Sequence, residues 1–142
     1  MKILIVSIHF YPESIGAGKY SGELADWLAA RGHEVRVVAP APFYPQWKIH
    51  PGFPARYAIE EGRYRVYRCP IWVPRHPSAA RRVLHLLSFA LCSAPQILRQ
   101  VAWRPDVVLC VEPTLASAPM ALLCAALAGA KRWLHVQDFE VD

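Results

Sequence analysis

The chain opens on a short unbroken apolar run, Ile3-Leu4-Ile5-Val6, with Ile8 close behind. Such a run fits a strand covered on both faces, because a half-exposed strand would alternate apolar and polar positions. The loop 11–19 follows, punctuated by Pro12, Gly16 and Gly18. Tyr20, Leu24, Trp27 and Leu28 then recur at spacings of four, three and one, which predicts one apolar helix face. Arg31 suits the negative end of that helix and Gly32 its stop. Val35, Val37 and Val38 predict a second strand ending at Pro40.

Residues 40–77 break this rhythm. They hold eight of the thirteen prolines, interleaved with Phe43, Tyr44, Trp47 and Phe53. A loop this long is commonly a functional one. Its aromatic residues could wedge into a membrane interface, stack on a sugar, or cover the domain's own core. Tyr64, Val66 and Tyr67 predict a third strand within 63–69. A mostly apolar helical stretch runs from Ala79 to Ala102, with Pro95 expected to kink or restart it and Ser93 placed to cap the restart. A fourth strand over Asp106–Val111, a helix over 115–129 and a fifth strand over 131–137 complete the pattern. The order β-α-β-loop-β-α-β-α-β predicts an α/β fold with a doubly wound parallel sheet. Residues 1–142 read as one domain. A further helix is expected after the fifth strand, so the sequence reads as truncated and its uncovered last strand predicts poor solubility.

Two apolar stretches need separate treatment. The first, at the N-terminus, is too short for a signal peptide, and His9-Phe10-Tyr11-Pro12-Glu13 stands where a cleavage site would be. The second, Pro113 to Ala130, is uncharged for 18 residues, the lower limit for a membrane span. Thr114, Ser117, Pro119 and Gly129 interrupt it, so it reads as a helix packed inside the domain.

Composition narrows the class. With 54% hydrophobic and 19% charged residues, the chain is not a disordered tail. Cys69, Cys92, Cys110 and Cys124 form no C-x-x-C pair, which argues against zinc and for a reducing compartment. Between residues 35 and 105 stand eleven Lys/Arg against Glu60 and Glu61, so that stretch is +9 in a chain of net +5. A basic middle suggests an anionic partner: a phosphorylated substrate, an acidic membrane or nucleic acid. A merely solvated basic face is the alternative.

In doubly wound sheets ligands sit beyond the carboxyl ends of the strands. The turn after the first strand reads Gly16-Ala17-Gly18-Lys19-Tyr20-Ser21-Gly22. Its third glycine is one place late for G-x-G-x-x-G, and the second strand ends without the ribose-binding acid, which disfavours a dinucleotide. Glu13 and Tyr20 rule out a Walker A loop. The free amides of such a turn, with Lys19 beside them, can still hold an anion or a sugar, or the glycines can simply permit the turn. Glu112 and Thr114 at the fourth strand's end either bind sugar hydroxyls or mark a turn. Asp138 and Glu140 alternate past the fifth strand but lack partners for a metal site, and no metal is expected. His135 reads as a core residue rather than a base.

Taken together these stretches resemble the N-terminal domain of a family-4 glycosyltransferase of the GT-B fold. The resemblance is carried by the strand Lys2–Phe10, by Tyr11-Pro12-Glu13 with Gly16, Gly18, Lys19 and Tyr20, and by Leu28–Val35. Phe43-Tyr44-Pro45-Gln46-Trp47, Tyr67–Pro70, Leu84–Leu91, Trp103–Val108, Val111–Thr114 and His135–Asp142 add to it. It is similar to the colanic-acid fucosyltransferase type of bacterial exopolysaccharide synthesis. The resemblance implies a retaining, metal-independent transferase needing no cofactor, with GDP-fucose as nucleotide-sugar co-substrate. It implies a Rossmann-like acceptor-binding half here, and a C-terminal donor half beyond it. The implied acceptor is a sugar on a polyprenyl diphosphate at the anionic inner face of the plasma membrane. The implied setting is therefore cytoplasmic and peripheral, with no role for nucleic acid.

The family often carries His-Asp where this chain has Gln137-Asp138, so Asp138 becomes the expected catalytic residue. Gly16, Gly18, Lys19, Tyr20, Glu112, Thr114 and Glu140 become expected substrate contacts. Arg81 and Arg82 stand near the start of a helix, where positive charge opposes the dipole, and are expected to meet phospholipid or the acceptor's diphosphate. The alternative class is a nucleotide-binding or regulatory Rossmann-like module that performs no chemistry.

Overall fold

A computed structural model describes residues 1–113 and 115–137, with Glu112 described through its backbone alone. The elements are β1 (Lys2–Ser7), α1 (Gly16–Ala30), β2 (Glu34–Pro40), β3 (Ala58–Glu60), β4 (Arg65–Cys69), α2 (Ala79–Arg99), β5 (Val107–Glu112), a 3₁₀ turn (Leu115–Ser117), α3 (Ala118–Ala128) and β6 (Lys131–Val136). They form one sheet in the order β3-β4-β2-β1-β5-β6. All neighbours are parallel except β3, which runs antiparallel to β4.

Alternation along β1 explains why the sheet is covered on both faces. Leu4 and Val6 join a core with Phe89 and Ile97 of α2 and Ala121 and Cys124 of α3. Ile3 and Ile5 join the opposite core with Ala25 of α1. The doubly wound sheet predicted from the sequence is therefore present, and chain direction across it reverses between β1 and β5.

Several local expectations are corrected. β3 was not expected: three residues within a proline-rich loop are too few to display a period, and Ile59 is exposed at the sheet edge. The helix over residues 79–99 runs through Pro95 without restarting, and the Ser93 hydroxyl bonds the Ala90 carbonyl instead of capping. Pro95 removes one backbone bond, while buried Phe89, Ser93, Gln96 and Ile97 hold the same face against the core on both sides of it. Tyr20 and Trp27 of α1 are half exposed, because the helix instead packs through Gly18, Ser21, Gly22 and Ala25. A side chain at Gly22 would run into the Tyr11 ring, so this small-residue stripe sets how closely α1 approaches the sheet. Trp27 is covered from outside by Arg31, 3.6 Å from its ring centre. Gly32 does end the helix, with φ +81.

The apolar stretch after β5 splits into the 3₁₀ turn and α3. Ala118, Ala121, Cys124 and Ala125 are buried, whereas Leu115, Leu122, Leu123 and Leu127 are exposed. The expectation of a helix enclosed within the domain thus holds for one side of it. Among the described residues no helix is long and apolar enough to cross a membrane. On the edge strand β6, Trp133, Leu134 and Val136 are exposed.

Candidate functional site

A cleft of about 1270 Å³ opens beyond the carboxyl ends of β1 and β6, bounded by the start of α1 and the start of α2. That is the switch-point position at which doubly wound sheets place ligands. Its lining includes His9, Gly16, Tyr20, Tyr44, Arg82 and Gln137. Beneath it a smaller chamber of about 90 Å³ is shared by His9, Phe43, Tyr44, Trp47, Arg82 and His85.

The cleft's floor is organised by one buried acid. Glu13 is fully buried, and its Oε1 accepts the main-chain N–H groups of Phe43 at 2.9 Å and Tyr44 at 3.0 Å. Its Oε2 lies 2.8 Å from Nδ1 of His9. A carboxylate without water needs such partners, since an unpaired buried charge is strongly unfavourable. The contacts draw the proline-aromatic loop back over the turn after β1. Phe43 is consequently buried in the core, with Tyr44 and Trp47 packed partly against it. Of the three readings of these aromatics, covering the core describes Phe43, while Tyr44 also lines both cavities and Trp47 the smaller one.

His85 is buried in α2, where its Nδ1 lies 2.6 Å from the Trp72 carbonyl. Burial holds its pKa below the ordinary 6.5, only partly offset by that hydrogen bond. Its ring packs against Phe43 at 4.7 Å and Trp47 at 5.2 Å between centres. Arg82 stands over the Trp47 ring at 5.8 Å, keeping a cation at the shared wall of both cavities.

The expected site residues distribute unevenly. Gly16, with φ +58, and Tyr20 line the cleft. Gly18 is buried behind it, against Glu13. Lys19 is half exposed, 3.8 Å from Glu23. Arg82 lines the cleft, whereas Arg81 donates to the His76 carbonyl at 3.1 Å. Thr114, Asp138 and Glu140 lie outside the described residues, as does the Glu112 side chain. His135 is half buried and lines the cleft, which corrects its reading as a core residue. Among the described residues no group of three His, Cys, Asp or Glu could hold a metal. His9, Glu13 and His85 were not expected as site residues from the sequence, and Tyr44 was expected only as one of the loop aromatics that could stack on a sugar.

Part of the basic middle is occupied internally. Arg68 is buried, bonds both Glu60 oxygens at 3.0 Å and donates to the carbonyls of Pro40 and Tyr11. Arg65 pairs with Glu61 at 2.8 Å. Arg36 bonds Gln100 at 3.1 Å and stacks 4.3 Å from the Trp103 ring.

The parallel strands with a wide cleft at the β1/β5 switch define a Rossmann-like domain with a ligand site at its topological switch point. Residues 16–142 match the glycosyl transferase 4-like domain, and the chain belongs to that family. It is also 50% identical over 143 residues to the colanic acid biosynthesis glycosyl transferase WcaI of Escherichia coli (strain K12). That match covers all of this chain and 35% of the relative, so the chain spans about a third of the length of the protein it matches.

Proposed function

We propose that this chain belongs to the acceptor-binding half of a glycosyltransferase of exopolysaccharide synthesis. In this reading the whole enzyme moves fucose, with retention, from GDP-fucose to a sugar carried on polyprenyl diphosphate. The observation that carries it is the cleft itself. It combines the open amides at the start of α1, a cation at Arg82 and aromatic walls at Tyr20 and Tyr44. Helix amides and a guanidinium suit a diphosphate, and aromatic faces suit the C–H surface of a sugar. No acid stands in the first turn of α1, and its N-cap Ile15 offers no side-chain hydrogen bond, so those amides are not capped from within the helix.

The second part of the reading concerns the membrane. Helix α2 leaves Leu84, Leu87 and Leu91 exposed at spacings of three and four, one stripe beside Arg81 and Arg82. An apolar stripe flanked by arginine suits the surface of an anionic bilayer. Such docking would present a lipid-linked acceptor to the cleft at the start of the same helix.

The test is a chimera in which this chain replaces the matching third of the E. coli relative. With GDP-fucose and a lipid-linked glucose acceptor, transfer is expected from the chimera and not from the isolated chain, since donor and acceptor must be held together. A folded chimera without transfer, beside an active parent, would overturn the reading. Asp138→Asn in that chimera is expected to lower turnover by about 10²–10⁴ at unchanged thermal stability.

A further inference from the structure

Proton placement at the Glu13–His9 contact follows from the donor inventory. Oε1 of Glu13 accepts two main-chain N–H groups, from Phe43 and Tyr44. Oε2 faces His9 Nδ1 at 2.8 Å. An ionised carboxylate only accepts, so the hydrogen in this contact belongs to Nδ1. A ring without a second proton is thereby held as the Nδ1–H tautomer, with its lone pair on Nε2.

The fold then leaves that lone pair available. His9 is 17% exposed and lines both the cleft and the chamber beneath it. Its Nε2 makes no hydrogen bond among the described residues, although Nδ1 is fully engaged. The ring sits between Phe43 and Tyr44, 5.2 and 5.3 Å from their centres. Those two residues carry the amides that Glu13 holds. One buried carboxylate therefore sets the tautomer of the imidazole and the position of its two aromatic neighbours. The same loop keeps Trp47 at φ +51, a strained backbone for a bulky residue, which persists only where surrounding contacts enforce it.

We propose that His9 receives a hydroxyl of the acceptor sugar, Nε2 accepting its O–H hydrogen bond, and that Glu13 is the positioning residue that fixes this polarity. No bond forms or breaks at His9. Donating its hydrogen to Nε2 leaves the hydroxyl oxygen's lone pairs on the side away from the ring. The inference rests on the glycosyltransferase reading and names the contact that would read the sugar as distinct from its lipid carrier.

Two measurements on the chain test it. The first is the histidine-ring nitrogen spectrum at pH 7.5, with His9 assigned by its loss in His9→Asn. The Nδ1–H tautomer is expected. Glu13→Gln should flip it, because the carboxamide oxygen can keep the Phe43 and Tyr44 amides while its NH₂ donates to Nδ1. A wild-type Nε2–H tautomer would overturn the proposal.

The second measurement is affinity for farnesyl diphosphate-linked glucose, with plain farnesyl diphosphate alongside. His9→Asn can keep the contact to Glu13 but has nothing at the Nε2 position. It should bind the glucosylated probe about tenfold more weakly, as should Glu13→Gln. His9→Gln places an amide near the Nε2 position and should lose less than about threefold. All variants should bind plain farnesyl diphosphate alike, with melting temperatures controlling for folding. Equal affinity of wild type and His9→Asn for the glucosylated probe would overturn the role of His9 alone. Failure of the wild type to bind either probe would overturn the acceptor-binding reading with it.

Discussion

Gly18 and Gly16 stand two residues apart in one turn, yet the structure gives them different work, and alanine at each separates the two. At Gly18 an added Cβ would lie 2.6 Å from the Cβ of Glu13 and 2.8 Å from its Oε2. Carbon atoms in good contact sit about 3.5–4.0 Å apart, so the overlap is on the order of 1 Å. Glu13 cannot yield by rotating its side chain, because the nearer atom is its Cβ and the residue is fully buried. Either α1 or the turn before it must move. Overpacking of this kind costs about 1–3 kcal/mol. If the carboxylate shifts enough to release one of its two main-chain N–H partners, a further cost of about 1–3 kcal/mol applies.

Gly18→Ala is therefore expected to lose roughly 1–3 kcal/mol from overpacking alone and up to about 6 kcal/mol if an N–H partner is released, a large part of the 5–15 kcal/mol typical of a domain. At Gly16 an added Cβ meets nothing within 4 Å, and only the φ of +58 penalises it. Gly16→Ala should cost about 1–2 kcal/mol, the left-handed backbone penalty alone. Urea unfolding followed by tryptophan fluorescence measures both. Equal losses at the two positions, or a Gly18→Ala loss below about 0.5 kcal/mol, would refute the packing argument.

Three further outcomes are expected. Because burial lowers the pKa of His85, its ring takes up a proton near pH 6.5 in the unfolded chain while staying neutral in the folded one, so stability contributed above pH 6.5 is lost as pH falls below it. The urea midpoint should drop between pH 7.5 and 5, and His85→Gln should drop less; parallel profiles would exclude His85 as the cause. Burial raises the Cys69 thiol and pushes Cys124 up to about 11, and Cys110 is buried, so a thiol reagent at pH 8 should react quickly with half-buried Cys92 alone. A second fast thiol would count against this packing. Leu91→Glu, at the most exposed point of the α2 stripe, should abolish sedimentation with anionic liposomes, and added salt should weaken the wild type. Salt-independent binding, or binding by Leu91→Glu equal to wild type, would remove α2 as the contact.

Legibility from sequence followed the range of the interaction. β1 and β5 were visible because each is an apolar run that needs no knowledge of its neighbours, and Gly32 marked the end of α1 through its own backbone. β3 was invisible because its three residues are defined by pairing with β4. Tyr20 and Trp27 were placed inward because periodicity weighs large apolar residues, whereas α1 packs through small ones. The Glu13–His9 pair was missed for a different reason. The amides that hold Glu13 come from residues about thirty positions further along, so nothing local distinguishes it from a solvated acid.

That long-range closure bears on how the cleft can vary. The turn after β1, the start of α1 and the proline-aromatic loop meet at Glu13, so a change in any of the three alters the other two. Cleft shape and stability are coupled there, and substitutions at Tyr44 or Trp47 act on a loop whose anchor also holds His9. Leu84, Leu87 and Leu91 face outward on α2 and carry no such load. Substitutions on that stripe therefore leave the cleft undisturbed, whereas those at Arg82, which lines it, do not. If docking and acceptor reading are both functions of this domain, Arg82 is where they cannot be separated. Arg82→Gln should then weaken liposome binding and affinity for a diphosphate-linked sugar together, while Arg81→Gln weakens only the first. The reverse pattern, with Arg81 governing the sugar probe, would place the diphosphate outside the cleft and undo the coupling.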